Sequence, residues 1–407
     1  MKVLFLSSGV RVGGFAKSLV YLIETLQSRG VQADLLLLRR TDDEWLLDGL
    51  GSLEIIENAL TREFAREERS NLTKFLAMVR TGRIWNRLWM AVLKNTVYRR
   101  TGVPRRVQLR ASQLDDERRV RGMRTVLDLS EDYDCVVSWE ESLCNYVLSA
   151  RIVARRKIGY IHPDYIQAGF YSPSDRRMMY GLDVIAFVSD PNRESFRRAL
   201  PELTAKSLTI PNVLSVSMIH RLSHGSAVEM DCAEFTMVTV CRLQNASKAL
   251  DRAARLCARM KSDGLRFKWF FIGSGPDAAF LENQVRRLNI AKELILLGER
   301  KNPYPYIQKA HLLVLQSYYE GRPLVVDEAK ILGTPVLVTD YASARTQVLE
   351  GVEGLVVANE EAAIARELSR IVREPQRLDG MRDALSARTW EEFTDCSAFL
   401  VACRGVE

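Results

Sequence analysis

The sequence predicts an α/β protein made of two domains, each with a parallel sheet. The chain has 407 residues, more than one domain usually holds. Its composition, 47% hydrophobic and 27% charged, is that of an ordinary globular protein. Short apolar runs alternate with amphipathic helical patterns in both halves. Such alternation is typical of βαβ units and therefore of doubly wound parallel sheets.

The first half begins with a predicted βαβ unit. The run "KVLFLSSG" predicts a strand, "VRVGGFAKSLVYLIETLQSRG" carries apolar residues at helical spacing until Gly30, and "VQADLLLL" predicts a second strand. Further strands of this sheet are predicted from "YDCVVSW", "KIGYIH" and "VIAFVSD". We expect an N-terminal domain over residues 1–212, with a basic helical insert at about 60–125.

The second half repeats the alternation. Its predicted strands are "FTMVTVCRL", "FKWFFIGSG", "LILLGE", "LLVLQS" and "PVLVTD". We expect a linker at 213–232, a C-terminal domain at 233–385, and a last segment, 386–407, whose helix returns to the first domain. Two such Rossmann-like halves facing each other would form a cleft at the carboxyl ends of both sheets, where ligands of these sheets bind.

Composition narrows the class of protein. The seven cysteines are scattered, without a CxxC pair or a Cys/His cluster, which argues against a disulfide framework and a zinc site. The opening "MKVLFLSSG" is too short an apolar core for a signal peptide, and no run of 18 apolar residues occurs. These features predict a cytoplasmic protein without a membrane span.

The positive charge is concentrated in one segment. Residues 80–124 hold 13 Lys and Arg against three acids, or +10, whereas the whole chain carries +7. Within it "RIWNRLWMAVLKNTVYRR" predicts a helix with Trp85 and Trp89 on its apolar face. That pattern suits an anionic membrane surface, but it equally suits a helix packed on the core with solvated arginines. Nucleic acid is a poorer partner, because the aromatic residues do not interleave with charge along a groove.

Charged residues and glycines follow several predicted strands. Arg242 and Lys248 come after one strand, and the turn "FIGSGPD" with Gly273 and Gly275 comes after the next, where backbone N–H groups could approach a phosphate or base. Taken singly, Arg242 or Lys248 would more often be a surface cation, and the two glycines would more often belong to an ordinary turn.

Two glutamates bracket a predicted helix. The stretch "YYEGRPLVVDEAKILG" predicts a helix from about 323 to 332, with Glu320 in the loop before it and Glu328 more than one turn inside. Two helical turns separate their carboxylates by about 10 to 12 Å. This spacing suits two ends of an elongated, hydroxyl-rich ligand, although Glu320 could instead simply favour the helix dipole.

Together these motifs resemble the retaining glycosyltransferases with a GT-B fold and an E-x7-E motif, a family that includes sucrose synthase and the phosphatidylinositol mannosyltransferases. Glu320 and Glu328 form that motif. "SSGVRVGGFAKSL" is similar to the family's Gly-Gly loop, "YIHPD" to its histidine motif, "IPNVL" to its pre-linker motif, and residues 235–357 match best. The motifs stand in the family's order along most of the chain.

The resemblance implies a GT-B fold and a role for each matching residue. Arg242 and Lys248 would bind the donor's diphosphate in place of a metal or cofactor, Glu328 would hold the ribose hydroxyls, and Glu320 would face the transferred sugar. The remaining implied residues are His162 at the donor sugar, Gly13 and Gly14 at acceptor and diphosphate, and Gly273, Gly275, Arg300, Gly321, Arg322, Pro323 and Leu324 around the donor.

The implied reaction moves a sugar from a nucleotide-sugar, with UDP expected, to a glycan, lipid-linked or other acceptor in bacterial polysaccharide or glycoconjugate synthesis. Two departures bear on it: five residues separate Arg242 from Lys248, one more than in many relatives, and Arg322 replaces an uncharged residue. A catalytically silent sugar-binding protein and a nucleotide-sugar epimerase remain alternatives. A pyridoxal-dependent phosphorylase would need a Schiff-base lysine in a matching context, which we do not find.

Overall fold

The computed structural model describes residues 1–9, 14–39, 55–56, 60–63, 105–224, 230 and 234–405. Contacts between residues divide the chain into two units. The N-terminal unit comprises Met1–Val12, Leu22–Asn212 and Cys396–Glu407, and the C-terminal unit comprises Gly13–Tyr21 and Val213–Asp395. The described residues 213–224, the first part of the predicted linker, group with the C-terminal unit.

The N-terminal unit is built on a parallel sheet. Its strands are β1 (Lys2–Ser7), β2 (Gln32–Leu37), β3 (Ile55–Ile56), β4 (Leu127–Asp128), β5 (Cys135–Ser138), β6 (Ile152–Val153), β7 (Lys157–Ile161), β8 (Val184–Phe187) and β9 (Ser207–Thr209). Among the described residues the main sheet has the order β3-β2-β1-β5-β7-β8-β9, while β4 and β6 form a separate pair. Strands such as β1 are almost wholly buried, as expected where helices cover both faces of a parallel sheet.

The helices of this unit are α1 (Gly14–Ser28), α2 (Arg105–Gly122), α3 (Leu143–Arg151), α4 (Tyr165–Ala168), α5 (Ser172–Met178) and α6 (Asp190–Ala199), with a 3-10 turn at Pro201–Lys206. The first part of α1, up to Tyr21, groups with the other unit. Helix α2 is the described end of the basic segment; it is tied to α5 by Glu117, which accepts hydrogen bonds from Arg177 at 2.8 and 2.7 Å. Trp85 and Trp89 lie outside the described residues.

The C-terminal unit has a second parallel sheet. Its strands are β10 (Phe235–Val240), β11 (Phe267–Ile272), β12 (Leu294–Gly298), β13 (Leu312–Leu315), β14 (Val336–Thr339) and β15 (Gly354–Val357). They lie in the order β12-β11-β10-β13-β14-β15. Counted along the unit this is 3-2-1-4-5-6, the order of a Rossmann fold. One cluster of its core is formed by buried side chains of the strands and the helices packed on them, among them Trp269, Phe271 and Leu256.

The helices of the C-terminal unit are α7 (Val216–Ser223), α8 (Asn245–Lys248), α9 (Leu250–Ser262), α10 (Ala278–Arg287), α11 (Tyr304–Lys309), α12 (Leu324–Ile331), α13 (Ala344–Gln347), α14 (Glu361–Arg373) and α15 (Asp379–Ser386). Two 3-10 turns lie at Pro375–Leu378 and Glu391–Thr394. No helix of the described ranges is both long and apolar enough to span a membrane.

The last helix, α16 (Ser397–Arg404), groups with the N-terminal unit. Phe399 stacks on Phe5 of β1 with ring centroids 5.9 Å apart, and Arg156 donates a hydrogen bond to the Ala402 carbonyl at 3.1 Å. Aromatic stacking and burial of Phe399 anchor this short helix, which would be marginal in isolation.

Candidate active site

The order of the C-terminal sheet places two loops side by side. Strands β11 and β12 follow β10 on one side of the sheet, and strands β13 to β15 follow on the other side, so the topological switch point lies between β10 and β13. Ligands of such sheets bind at this point, outside the carboxyl ends of the strands. The loop after β10 carries Arg242 and Lys248, and the loop after β13 carries Glu320. Hydrogen bonds join the loops: the Gln316 side chain donates to the Lys248 carbonyl at 3.0 Å, and the Tyr318 N–H donates to the Ser247 carbonyl at 2.8 Å.

Lys248 and Glu320 form a close ion pair at this point. Lys248 Nζ lies 2.5 Å from Glu320 Oε1, and Ser317 Oγ donates to the same oxygen at 2.6 Å. The Lys248 side chain is 18% exposed and that of Glu320 10% exposed. A pair that is largely removed from water but still reachable provides both a cation and a carboxylate to a ligand entering from solvent.

Arg242 lies on the same loop but is exposed and makes no ion pair with the described residues. The chain between the two cations folds into the single helical turn α8, which ends at Ala249 in the left-handed conformation (φ 50°). A non-glycine residue in this region is strained, a feature that clusters at functional sites. Three of the five intervening residues, Asn245 to Ser247, lie in this turn, which places Lys248 at its carboxyl end.

Gly273 and Gly275 pack against the Arg242 loop. A Cβ at Gly273 would lie 1.9 Å from the Cys241 carbonyl oxygen, and one at Gly275 would lie 2.3 Å from that of Leu243. The N–H of Gly273 donates to the Gly298 carbonyl at 2.9 Å, and the Ser274 carbonyl accepts from the Leu243 N–H at 2.9 Å. The glycines are therefore required by close backbone contact. The approach of a phosphate or base to this turn stays a prediction.

Cys241 lies near the pair but is not poised as a nucleophile. Burial raises the pKa of its thiol to about 12, with the Lys248 ammonium lowering it and the Glu320 carboxylate raising it further. The thiol is therefore neutral at physiological pH. Since the thiolate is the nucleophilic form, Cys241 is inert in this loop.

Glu328 sits inside α12 and is 1% exposed. Its Oε1 lies 2.9 Å from the Tyr21 hydroxyl, 3.2 Å from the Tyr304 hydroxyl and 3.4 Å from the Lys17 ammonium, and the two hydroxyls are in contact with each other. The two hydroxyl hydrogens are therefore shared among three contacts. Lys17 lies 4.4 Å from the centre of the Tyr304 ring. We call Lys17, Tyr21, Tyr304 and Glu328 the carboxylate cluster.

Electrostatics in the carboxylate cluster keep Lys17 charged. Burial acts to lower the pKa of Lys17, but the Glu328 carboxylate and Tyr304 more than offset it, so the pKa is raised. Burial and the Glu328 charge raise the pKa of Tyr304 to about 12 and that of Tyr21 well above its usual value. Glu328 is thus held by one cation and two neutral hydroxyl donors.

The loop before α12 differs slightly from the prediction. Pro323 is the N-cap and the helix begins at Leu324, which is buried, and ends at Ile331. Gly333 has φ 74°, as expected just after a helix. The Gly321 carbonyl accepts from Ser343 Oγ at 2.5 Å, and the Pro323 carbonyl accepts from the Gln347 side chain at 2.9 Å. These bonds fix the loop that carries Glu320.

Arg322 is anchored by an acid at the base of α12. Its Nη2 lies 3.4 Å from Asp327 Oδ2, and Asp327 is fully buried. Asp327 is also paired with the Lys330 ammonium at 3.3 Å, and Lys330 reaches Glu353 at 3.0 Å. Burial lowers the pKa of Lys330, while the neighbouring Asp327 opposes this shift. The positive charge of Arg322 is therefore balanced locally.

Arg300 is exposed at the start of the loop leading to α11. Its Nε lies 3.3 Å from the Tyr306 hydroxyl, and its Nη1 lies 3.4 Å from the Glu299 carbonyl. These long, exposed contacts leave the guanidinium accessible. The structure does not join Arg300 to the Lys248–Glu320 pair or to the carboxylate cluster.

In the N-terminal unit, His162 follows β7. Its Nε2 donates to the Trp139 carbonyl at 2.9 Å, and its ring stacks on Tyr160 with centroids 5.5 Å apart. Burial lowers the pKa of His162 to about 4, although the bond to Trp139 and the nearby Glu140 act the other way. The ring is therefore neutral at pH 7.

This unit has its own switch point, between β1 and β5. There Glu140 accepts hydrogen bonds from Ser7 Oγ at 2.7 Å and from the Ser8 N–H at 3.2 Å, and burial raises its pKa. Of the glycine pair, Gly13 lies outside the described residues, and Gly14 is the exposed first residue of α1.

Several site residues were not predicted from the sequence. They are Lys17 and Tyr21 on α1, Tyr304 on α11, Ser317 beside Glu320, and Glu140 in the N-terminal unit. A signal was present for the first two, since Lys17 and Tyr21 are four apart and interrupt the apolar face of a helix. For Tyr304, the surrounding sequence "NPYPY" contains no such signal.

The arrangement defines a class of protein: two Rossmann-like units, one of which presents cations and carboxylates at its switch point. Residues 230–388 match the family model of the glycosyl transferases group 1. This match covers most of the C-terminal unit and includes Arg242, Lys248, Glu320 and Glu328.

Curated relatives match over part of their length. The chain is 25% identical to an uncharacterized glycosyltransferase of Methanocaldococcus jannaschii, over 41% of this chain and 42% of the relative. It is 26% identical to the poly(glycerol-phosphate) alpha-glucosyltransferase of Bacillus subtilis, over 44% of this chain and 26% of the relative. The chain thus spans less than half the length of these relatives.

A solved structure matches nearly the whole chain. HepE of Anabaena, solved in complex with UDP-glucose, superimposes with a TM-score of 0.63 at 16% identity, covering 95% of this chain and 94% of that one. Likeness at this identity shows a shared fold. The protein has the GT-B fold with two Rossmann-like domains, as its sequence predicts.

Proposed function

We propose that the protein is a retaining glycosyltransferase that moves a sugar from a UDP-sugar to a glycan or lipid-linked acceptor. The observation that carries the proposal is the Lys248–Glu320 pair, 2.5 Å apart at the switch point of the unit that matches the glycosyl transferases group 1. UDP is favoured because HepE, which shares the fold, was solved with UDP-glucose. A role in bacterial polysaccharide synthesis is supported by the Vi polysaccharide biosynthesis protein VipC/TviE of Salmonella typhi, which is 28% identical over 22% of this chain and 16% of the relative.

In the proposed reaction, the bond between the sugar's anomeric carbon and the diphosphate oxygen breaks. The acceptor hydroxyl forms a new bond to the same face of that carbon, and its proton passes to the leaving phosphate oxygen. Lys248 and Arg242 offset the charge that grows on the diphosphate. Glu320 positions the sugar, and Glu328 holds the ribose diol through two hydrogen bonds.

Metal independence is part of the proposal. The support is the presence of two cations, Arg242 and Lys248, on the loop after β10, where they could neutralise the diphosphate without a metal. We expect full activity in EDTA. Strict dependence on a divalent ion, or an inverted product anomer, would contradict the proposed chemistry.

The direct experiment is a ligand screen followed by turnover. Thermal shift with ADP, GDP, UDP and their sugars should identify one nucleoside diphosphate that raises Tm. Incubation with the matching nucleotide-sugar and acceptor glycans should then release that nucleoside diphosphate. Binding without release would favour a silent binding protein, and interconversion of donor sugars without an acceptor would favour an epimerase.

We further propose that residues 80–124 bring the enzyme to an anionic membrane surface on the cytoplasmic side. The support is the +10 charge of this segment. Each basic residue near anionic lipid contributes about 1 kcal/mol, and salt weakens this attraction. Sedimentation with anionic vesicles at low salt should carry the protein down, whereas neutral vesicles or high salt should not. Protein that stays in the supernatant with anionic vesicles at low salt excludes this docking.

A further inference from the structure

The carboxylate cluster holds a cation that the proposed reaction does not yet use. The Lys17 ammonium lies 3.4 Å from Glu328 Oε1, and its side chain is only 11% exposed. Lys17 stands in the first turns of α1, three residues after its start at Gly14. A cation so far withdrawn from water is costly unless it is paired, and Glu328 supplies the pairing.

Ligand binding at Glu328 would disturb this pairing. Oε1 already contacts Lys17, Tyr21 and Tyr304, and the residue is 1% exposed. A ribose diol that binds the carboxylate brings two further hydroxyl donors to it. Since Oε1 has two lone pairs and already faces three donors, the longest and most flexible of these donors is the least firmly held and should give way first when the diol hydroxyls approach. That donor is Lys17, at 3.4 Å on a four-carbon stem.

The chemistry of a nucleoside diphosphate decides where Lys17 goes. In such a molecule the ribose is joined to the first phosphate through a single methylene, so the anion nearest the ribose is the diphosphate. A lysine displaced from the ribose-binding carboxylate is thus within the reach of its own side chain from a new anionic partner. Tyr304, whose ring lies 4.4 Å from the ammonium, can support the cation in both positions.

We propose that Lys17 is a donor-binding residue that leaves Glu328 for the diphosphate when the ribose diol occupies that carboxylate. The proposal rests on the proposed function, in which Glu328 binds the ribose. It makes α1 a sensor of the donor: with no ligand its first turns are tied to Glu328, and with a nucleoside diphosphate they are tied to the phosphates.

The test compares a nucleoside diphosphate with its parent nucleoside. Wild-type protein is first titrated with ADP, GDP and UDP by calorimetry, and the tightest of these and its nucleoside become the probes. The nucleoside is measured by ligand-observed NMR, which reaches millimolar Kd. Lys17→Met should weaken nucleoside diphosphate binding about 10-fold or more, the usual worth of a charge-assisted hydrogen bond. Nucleoside binding should stay unchanged or tighten, because a competitor for Glu328 has been removed.

Controls separate a binding role from a structural one. Lys17→Arg keeps the charge and should keep the ratio of the two affinities within a few-fold, and it also serves if Lys17→Met does not fold. Lys292→Met removes an exposed lysine of the same unit and should change neither affinity.

Each other outcome overturns a different statement. Equal weakening of both probes in Lys17→Met would mean that Lys17 only supports the structure of the site. Tightening of both would mean that it only blocks Glu328. If wild-type protein binds none of the three nucleoside diphosphates, the proposed function fails first, and the role of Lys17 fails with it.

Discussion

Lys248 Nζ lies 2.5 Å from Glu320 Oε1, so the cation expected at the diphosphate is paired with the carboxylate expected at the sugar. The two residues are 72 positions apart and meet because β10 and β13 are neighbours in the sheet. Ser317 holds the same carboxylate oxygen at 2.6 Å. A donor that binds between Lys248 and Glu320 would separate this ion pair, so it must offer a new partner to the ammonium and another to the carboxylate.

The first prediction separates donor binding from turnover. Arg242→Ala and Glu328→Ala should raise the KM for the donor, because they remove contacts to diphosphate and ribose that persist through the reaction. Glu320→Ala should mainly lower kcat. Each loss should be about 10- to 150-fold, corresponding to roughly 1.5 to 3 kcal/mol for a charged hydrogen bond. Steady-state kinetics measure both parameters, and wild-type values in all three variants would place the active site elsewhere.

The second prediction concerns the glycine turn. Gly275→Ala should lower the free energy of unfolding by about 1 to 3 kcal/mol, because a Cβ there would lie 2.3 Å from the Leu243 carbonyl oxygen and the backbone must move. Since this loop carries Arg242, donor affinity should fall as well. Urea unfolding and donor titration give the two readouts.

Gly380 is the matched control for that variant. It lies in α15, and a Cβ built there meets nothing within 4 Å. Gly380→Ala should therefore stabilise slightly, by about 0.5 kcal/mol, with unchanged donor affinity. A Gly275→Ala protein as stable as wild type would show that the loop after β10 yields easily.

The third prediction concerns the buried ions at α12. Lys330→Met should destabilise the protein by about 1 to 3 kcal/mol, because it removes the buried cation that Asp327 and Glu353 share and leaves each carboxylate with one arginine, Arg322 or Arg388. Arg345→Ala removes a pair whose arginine side chain is 66% exposed and should cost less than about 1 kcal/mol. Equal effects of the two substitutions in chemical unfolding would contradict this ranking.

The fourth prediction is a pH dependence from His162. The folded-state pKa is lowered to about 4, while the unfolded chain has a value near 6.5. As pH falls from about 6.5 towards 4, the unfolded state takes up a proton that the folded state does not, so the free energy of unfolding falls. The contribution of neutral His162 is fully present above about pH 6.5.

The measurement compares variants, because Glu140 and other buried acids add their own slopes. On going from pH 7 to 4.5, the Tm of wild type should fall more than the Tm of His162→Gln. His220→Gln, at an exposed position of α7, should show no such shift. Parallel pH profiles for wild type and His162→Gln would mean that the ring is not held neutral in the fold.

Local pattern was sufficient for the α/β class and for the strand ends that carry Arg242, Lys248 and Glu320. Continuous apolar runs mark buried parallel strands, and polar residues directly after them must lie at the carboxyl edge of the sheet. The GT-B fold was expected from the order of motifs and is the fold that the protein has. The helix after Glu320 was also predicted, with one residue of difference at each end.

The sequence by itself therefore determined the strands, the helices and the edge of the sheet where charged residues gather, because periodicity and strand ends are local properties. Tertiary structure alone decided the partners. Glu328 meets Lys17 across 311 positions and Tyr304 across 24, and Gly273 is pressed against Cys241. No period or spacing encodes such contacts, since they arise only when segments distant along the chain are packed to within hydrogen-bond distance.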